Sequence, residues 1–204
     1  MLTRYQAISW ATKEWQADII SMSFGYAEEQ ECISHAIRGA LYERHDSILF
    51  FAAAANEGAN YKEMFPARHD SVISIRGTNS AGKFEDFNPP RNKNEGVAFG
   101  TLGLDVPSAW LSDHEVYRSG TSIATAVAAG IAGALLGYVN RKSKESTVTK
   151  KLRTRQGMQA VFRSLASPTL NADERYLYLV PWALMDQSEE ERWAIFVTAL
   201  SDIS

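Results

Sequence analysis

Two polar residues have the right types and surroundings to do acyl-transfer chemistry together. Residues 118–130 read RSGTSIATAVAAG, so Ser122 stands two places after Gly120, at the mouth of a run of small helix formers. A helix N-terminus carries unpaired N–H groups and a partial positive charge. A serine there can attack a carbonyl while its own N–H receives the oxyanion that forms. Asn56, in AAAANEG (52–58), can offer a side-chain N–H to the same oxyanion. Gly120 permits close approach at the helix mouth, with Thr121 beside it. Ser23, Phe24 and Gly25, together with Ala53, Ala54 and Ala55, are candidate walls of a groove. There Gly25 and Gly58 would let a substrate backbone lie close.

Each residue also has a plainer reading. Serine at a helix start is commonly an N-cap. Asn56 fits a turn, Phe24 fits a core, and Glu57 fits a solvated surface. A serine nucleophile further needs a base. The chain holds four histidines, His35, His45, His69 and His114. The first two fall in a predicted helix and its exit, and His69 leads into a predicted strand. His114 is the nearest to Ser122 in sequence, but proximity along a loop does not make a base.

The elements that must position these residues follow from apolar periodicity. Helices are expected over 3–16, 28–44, 120–139 and 155–165. ADIISMSF (17–24), SILFFAAAA (47–55) and SVISIRGT (71–78) read as strands, and GVAFGTLGLDV (96–106) as a weaker one interrupted by glycine. FNPPRNKNEG (87–96) reads as a loop. Near-continuous apolar runs separated by helices predict an α/β fold, with a parallel sheet flanked by helices on both faces. Ligands bind such sheets beyond the C-terminal ends of the strands. Ser23–Gly25, Asn56–Gly58 and Gly120–Ser122 all fall there.

Later, residues 141–155 carry seven basic residues and one acidic one, which reads as a solvated connector or a partner-binding patch. RYLYLVPWALM (175–185) is apolar and aromatic enough to pack on something. Ser188 and Glu191 have capping-box spacing before a final helix ending near Leu200. The expected organisation is 1–140 as the main unit, 141–155 as a basic connector, and 156–204 as a helical and aromatic extension packed on it.

Bulk composition narrows the function classes. The chain has 204 residues, 45% hydrophobic and 22% charged, with formal net charge -3. That balance gives no reason to expect nucleic acid or an anionic membrane as partner. One cysteine, Cys32, excludes an intramolecular disulfide and a zinc cluster, and a reducing interior fits it. No metal site and no cofactor are expected. The first 25 residues do not form a secretory signal, and an intracellular setting is favoured. The uncharged run from Ser119 to Asn140 is long enough to cross a bilayer. Its Ala, Gly, Ser and Thr content predicts a helix buried in a globular protein instead.

Taken together, the motifs resemble the C-terminal part of the catalytic domain of subtilisin-like serine proteases, the subtilases. DIISMSFG is similar to the family's substrate-contacting strand, with Ser23-Phe24-Gly25 at its Ser-Leu-Gly position. ILFFAAAANEG is similar to the segment ending in the oxyanion asparagine. FPARHDSVISIRGTNSAGKFEDFNP resembles the Pro-Ala segment and its following strand. GTSIATAVAAGIAGAL resembles the nucleophile motif and its helix. Asn56 and Ser122 are 66 residues apart, and the same interval separates the corresponding residues of subtilisin. The resemblance covers roughly residues 8–140. FFAAAANEGAN, GTSIATA and the VPW tail look most like intracellular-type fungal subtilases.

The resemblance implies a serine endopeptidase with Ser122 as nucleophile, Asn56 in the oxyanion hole, and a polypeptide substrate. Three departures stand against the family pattern. Ala55 replaces the glycine usual before the oxyanion asparagine. Ala126 replaces the proline usual four residues after the nucleophile. The Asp and His of the triad, which precede the serine in this family, have no counterpart in the 22 residues before Ser23. The expectation is therefore a sheet incomplete on its N-terminal side, a missing N-terminal segment as partner, and a chain inactive alone. The alternative is a catalytically dead, subtilase-derived module that binds peptides or a partner. An unrelated α/β hydrolase is disfavoured because the G-x-S-x-G elbow is absent.

Overall fold

The computed structural model describes residues 3–91, 96–111, 114–143, 146–168 and 174–203. Its centre is a six-stranded sheet. Helix α1 (Arg4–Lys13) leads to β1 (Ile19–Met22), and α2 (Glu31–Glu43) leads to β2 (Leu49–Ala53). β3 (Val72–Thr78) and β4 (Ala98–Leu102) follow, then the strands β5 (Val106–Ala109) and β6 (Glu115–Arg118). The chain continues through α3 (Thr121–Lys142), α4 (Thr147–Leu152), α5 (Arg155–Ser164), β7 (Ala166–Pro168), β8 (Tyr176–Leu179) and α6 (Glu189–Leu200). The sheet order is β1-β2-β3-β4-β8-β7. Every neighbouring pair is parallel except β7 with β8.

Alternation along β2 explains why both faces are covered. Leu49 and Phe51 point into one core, with Ile73, Ile75 and Phe99 and with residues of α3, α4, α5 and α6. Phe50 and Ala52 point into the other, with Ile8 of α1 and Ile33, Ile37 and Ala40 of α2. An apolar run with no polar alternation is what a strand buried on both faces requires. The predicted α/β layering is the observed one.

Helix α3 is apolar and long enough to cross a membrane by length and composition. It lies instead across β1, β2, β3 and β4. Ala124, Ala128 and Ala132 are fully buried there, and their small side chains let the helix sit close to the sheet.

One expectation about the C-terminal third changes. The basic stretch 141–155 is docked rather than a solvated connector. Ser146 caps α4, and Leu152 is fully buried. Three of its cations are used internally: Arg153 pairs with Asp18, Lys142 with Glu189 at 3.0 Å, and Lys151 donates to the Leu200 carbonyl at 3.3 Å. A run of like charge reads as solvated only when its partners, distant in sequence, go unseen. Helices α5 and α6 and strand β8 pack into the main core. Phe162 of α5 is fully buried against Phe51 and Phe99, and β8 extends the sheet beside β4. The capping box at Ser188 and Glu191 forms as expected. The β5–β6 hairpin and strand β8 were not expected.

Candidate active site

The C-terminal ends of the strands bring Ser122 and Asn56 to one edge of the sheet. Two backbone hydrogen bonds fix the mouth of α3 there. The Gly103 N–H donates to the Thr78 carbonyl at 2.8 Å, and the Gly120 N–H donates to the Gly103 carbonyl at 2.7 Å. Buried Thr101 donates its hydroxyl to the Ala124 carbonyl at 2.7 Å and clamps the first turn onto β4. Ser119 bridges to Asp105 by accepting from its N–H at 2.9 Å. Sequence reasoning missed Thr101, Gly103, Asp105 and Ser119. An isolated glycine within a strand pattern, as at Gly103, was the available sign of close backbone approach.

The N-cap of α3 is Gly120, so Ser122 sits inside the first turn and is not a cap. The helix mouth then assigns its N–H groups one by one. Thr121 N–H donates to Asn56 Oδ1 at 2.7 Å, and the N–H groups of Ile123 and Ala124 reach the Gly120 carbonyl at 3.2 and 3.3 Å. The Ser122 N–H and the Ser122 hydroxyl have no hydrogen-bond partner among the described residues. Ser122 is part-exposed.

Asn56 is held by its acceptor. Its Oδ1 receives the Thr121 N–H and also the Thr121 hydroxyl at 3.1 Å. An N–H can only donate, so the amide must turn its oxygen to Thr121. The Nδ2 group is left with no hydrogen bond among the described residues. A free backbone N–H and a fixed, free amide N–H at the start of one helix are the donors an oxyanion hole needs. Gly120 has φ +137°, and a Cβ there would lie 3.1 Å from Asn56 Oδ1. Glycine at this position therefore serves the seat of Asn56 as well as the backbone conformation.

The groove candidates separate into two groups. Ser23 comes to the site, its hydroxyl donating to the Ser122 carbonyl at 3.3 Å. Half-buried Phe24 and exposed Gly25 follow and make no backbone hydrogen bonds among the described residues. Phe24 also packs edge-on against Tyr26 beneath the Arg4 guanidinium. Ala53 and Ala55 are each 7% exposed, while Ala54 is fully buried. The backbone of Ala54 is already used, its N–H bonded to the Ile75 carbonyl and its C=O to the Met64 N–H. Of the two glycines read as making room for substrate, Gly25 makes room for Met64, which a Cβ would meet at 2.7 Å. Gly58 is buried at φ +61° against Asp86, and its N–H donates to the Phe87 carbonyl. Ala55 keeps φ +155° despite its methyl.

The histidines lie elsewhere. His45 and His69 precede β2 and β3 and so belong to the opposite edge of the sheet. His69 is held by the Ser71 N–H at 3.1 Å, and burial, then the charge of Arg38, lower its pKa. His35 is on the exposed side of α2. His114 adjoins the far end of the β5–β6 ladder, which pairs Ala109 with Glu115. That end is about 10 Å out from Arg118 at the usual strand rise. No group of three or more potential metal ligands occurs among the described residues.

Comparison with known proteins gives the family. The model of the subtilase family matches residues 2–175. The chain is 29% identical over 126 residues to the minor extracellular protease Epr of Bacillus subtilis, covering 62% of this chain and 18% of that protein. It is 28% identical over 171 residues to the thermostable alkaline protease of Halalkalibacterium halodurans, covering 81% of this chain and 42% of that protein. The chain thus spans less than half the length of these curated relatives. Among solved structures, the prenylagaramide maturation protease PagA matches with TM-score 0.70 and 25% identity, over 86% of this chain and 63% of that one. With the family model covering most of its length and a solved protease sharing its fold, the chain belongs to the subtilase family of serine proteases.

Proposed function

We propose that this chain carries the nucleophile and the oxyanion hole of a serine endopeptidase. Ser122 Oγ attacks the carbonyl of a peptide bond, and the negative charge that develops is received by the Ser122 N–H and Asn56 Nδ2. Collapse of the tetrahedral adduct expels the amine and leaves an acyl-enzyme, which water then hydrolyses. The observation that carries this reading is the helix mouth itself, where Thr121 fixes Asn56 by its oxygen and leaves two N–H groups free. Peptide backbone lies along Ser23–Gly25 by strand-like pairing. Ala53 and Ala55 shape the floor of the groove, and Gly120 and Thr121 hold its donors in place. The protease names of the relatives support a polypeptide as substrate.

On this reading the base is contributed from outside these 204 residues, and the placement of His45 and His69 before β2 and β3 supports it. Without the base, only the residual catalysis of an oxyanion hole and binding groove remains. The test is labelling by a fluorophosphonate, in the chain alone and in any longer natural polypeptide that includes it. The expected result is fast labelling of the longer form, slow or no labelling of the chain alone, and loss of both in Ser122→Ala. Labelling of the longer form that persists in Ser122→Ala would refute the assignment. An unlabelled longer form that still binds peptide would favour a binding module instead.

A further inference from the structure

At the opposite edge of the sheet, where β3 and β4 begin, lies a cavity of about 450 Å³. Arg68, Arg76, Arg91, Arg155 and Arg163 line it, with Glu63 and Asp70 as the acidic groups. Glu63 is 6% exposed and is committed to Arg76, at 3.4 Å, and to the Ser74 hydroxyl. Arg155 is placed differently. It enters from the first turn of α5, and its Nε donates to the Val72 carbonyl at 3.2 Å. No carboxylate among the described residues lies within ion-pair distance of Arg155, Arg68 or Arg163. These cations share the cavity with Asp70, which makes no ion pair among the described residues although its charge acts on Arg155.

Arg155 is half-buried, and desolvation lowers its pKa, with the charge of Asp70 acting against that. With Nε taken, the remaining guanidinium N–H groups of Arg155 form the planar fork that matches an oxyanion. Arg163 is oriented nearby with its guanidinium carbon 5.9 Å from the centre of the Phe99 ring. We propose that this cavity binds a small oxyanion of the phosphate or carboxylate class, held by Arg155 with Arg163 and Arg68. The site is independent of the peptidase reading, since it lies at the strand N-termini and Ser122 at the C-termini.

Calorimetric titration with inorganic phosphate, and separately with citrate, tests the proposal, with sodium chloride at matched ionic strength as control. The expected result is saturable binding of at least one anion, weakened about tenfold or more when one charge-assisted contact is removed in Arg155→Gln or Arg163→Gln. Arg163 is exposed, so its replacement keeps the test decisive if Arg155→Gln does not fold. Citrate without phosphate assigns the carboxylate class, and phosphate without citrate the phosphate class. The imidazole of His69, which also lines the cavity, gives a second readout: bound anion should raise its titration midpoint in NMR. Absence of saturable binding, binding unchanged in both variants, or an effect reproduced by chloride would overturn the proposal.

Discussion

Replacing Asn56 in two ways separates its structural part from its chemical part. In Asn56→Ala the fully buried Thr121 loses the acceptor of its N–H and of its hydroxyl. A buried donor left unsatisfied costs about 1–3 kcal/mol. Taking about 2 kcal/mol, a chain of this size should melt about 4–8 °C lower. In Asn56→Asp both acceptor bonds survive, and the new charge sits at a helix N-terminus, which favours it by about 0.3–1 kcal/mol. Glu57 opposes this, since its carboxylate already accepts the residue-56 N–H at 3.0 Å, but exposed like charges cost only a few tenths of a kcal/mol, about as much as an exposed ion pair gains. The expected outcome is that Asn56→Asp keeps stability to within about 1 kcal/mol, whereas Asn56→Ala does not. Both variants lose the Nδ2 donor, so both should slow Ser122 acylation by about 10²–10³, the magnitude known for this donor in subtilisin. Thermal and urea denaturation measure the first effect, and fluorophosphonate labelling kinetics of the longer form measure the second. Equal destabilisation by Ala and Asp, or none by Ala, would refute the claim that Thr121 holds Asn56 by its oxygen. Normal labelling in Asn56→Asp would refute the role of Nδ2.

Two other expectations concern the surrounding frame. Ala55 holds φ +155°, which costs a non-glycine residue about 1–3 kcal/mol, so Ala55→Gly should be near neutral after glycine's entropy and the lost methyl offset that relief. Ala53→Gly, within β2, has no such relief and should lose about 1–2 kcal/mol; equal losses in urea denaturation would refute strain at Ala55. The folded-state pKa of His69 is lowered, chiefly by burial, so between that value and the unfolded value of about 6.5 the unfolded chain binds more protons. Stability should therefore fall as pH drops through that window, and His69→Gln should flatten the slope; an unchanged pH profile would count against it.

Much of the fold was legible because it rests on local signals. Apolar runs of strand length separated by amphipathic stretches gave the parallel α/β layering, and Ser188 with Glu191 gave the last cap. The candidate site was legible in part for the same reason: Gly120 and Ser122 mark a helix mouth, and Asn56 ends an apolar strand. The structure alone decided what each group does with its hydrogen bonds. Only there does Thr121 reach across 65 residues to orient Asn56, and only there does Ala54 turn out to be fully used within the sheet. The basic run 141–155 looked solvated because charge in a sequence is read without its partners, and Asp18 and Glu189 lie far away along the chain. Strand β8 and the arginine cavity were hidden for a related reason. Sequence fixes which residues a helix or strand presents on each face, whereas contacts between elements arise only when the chain closes on itself.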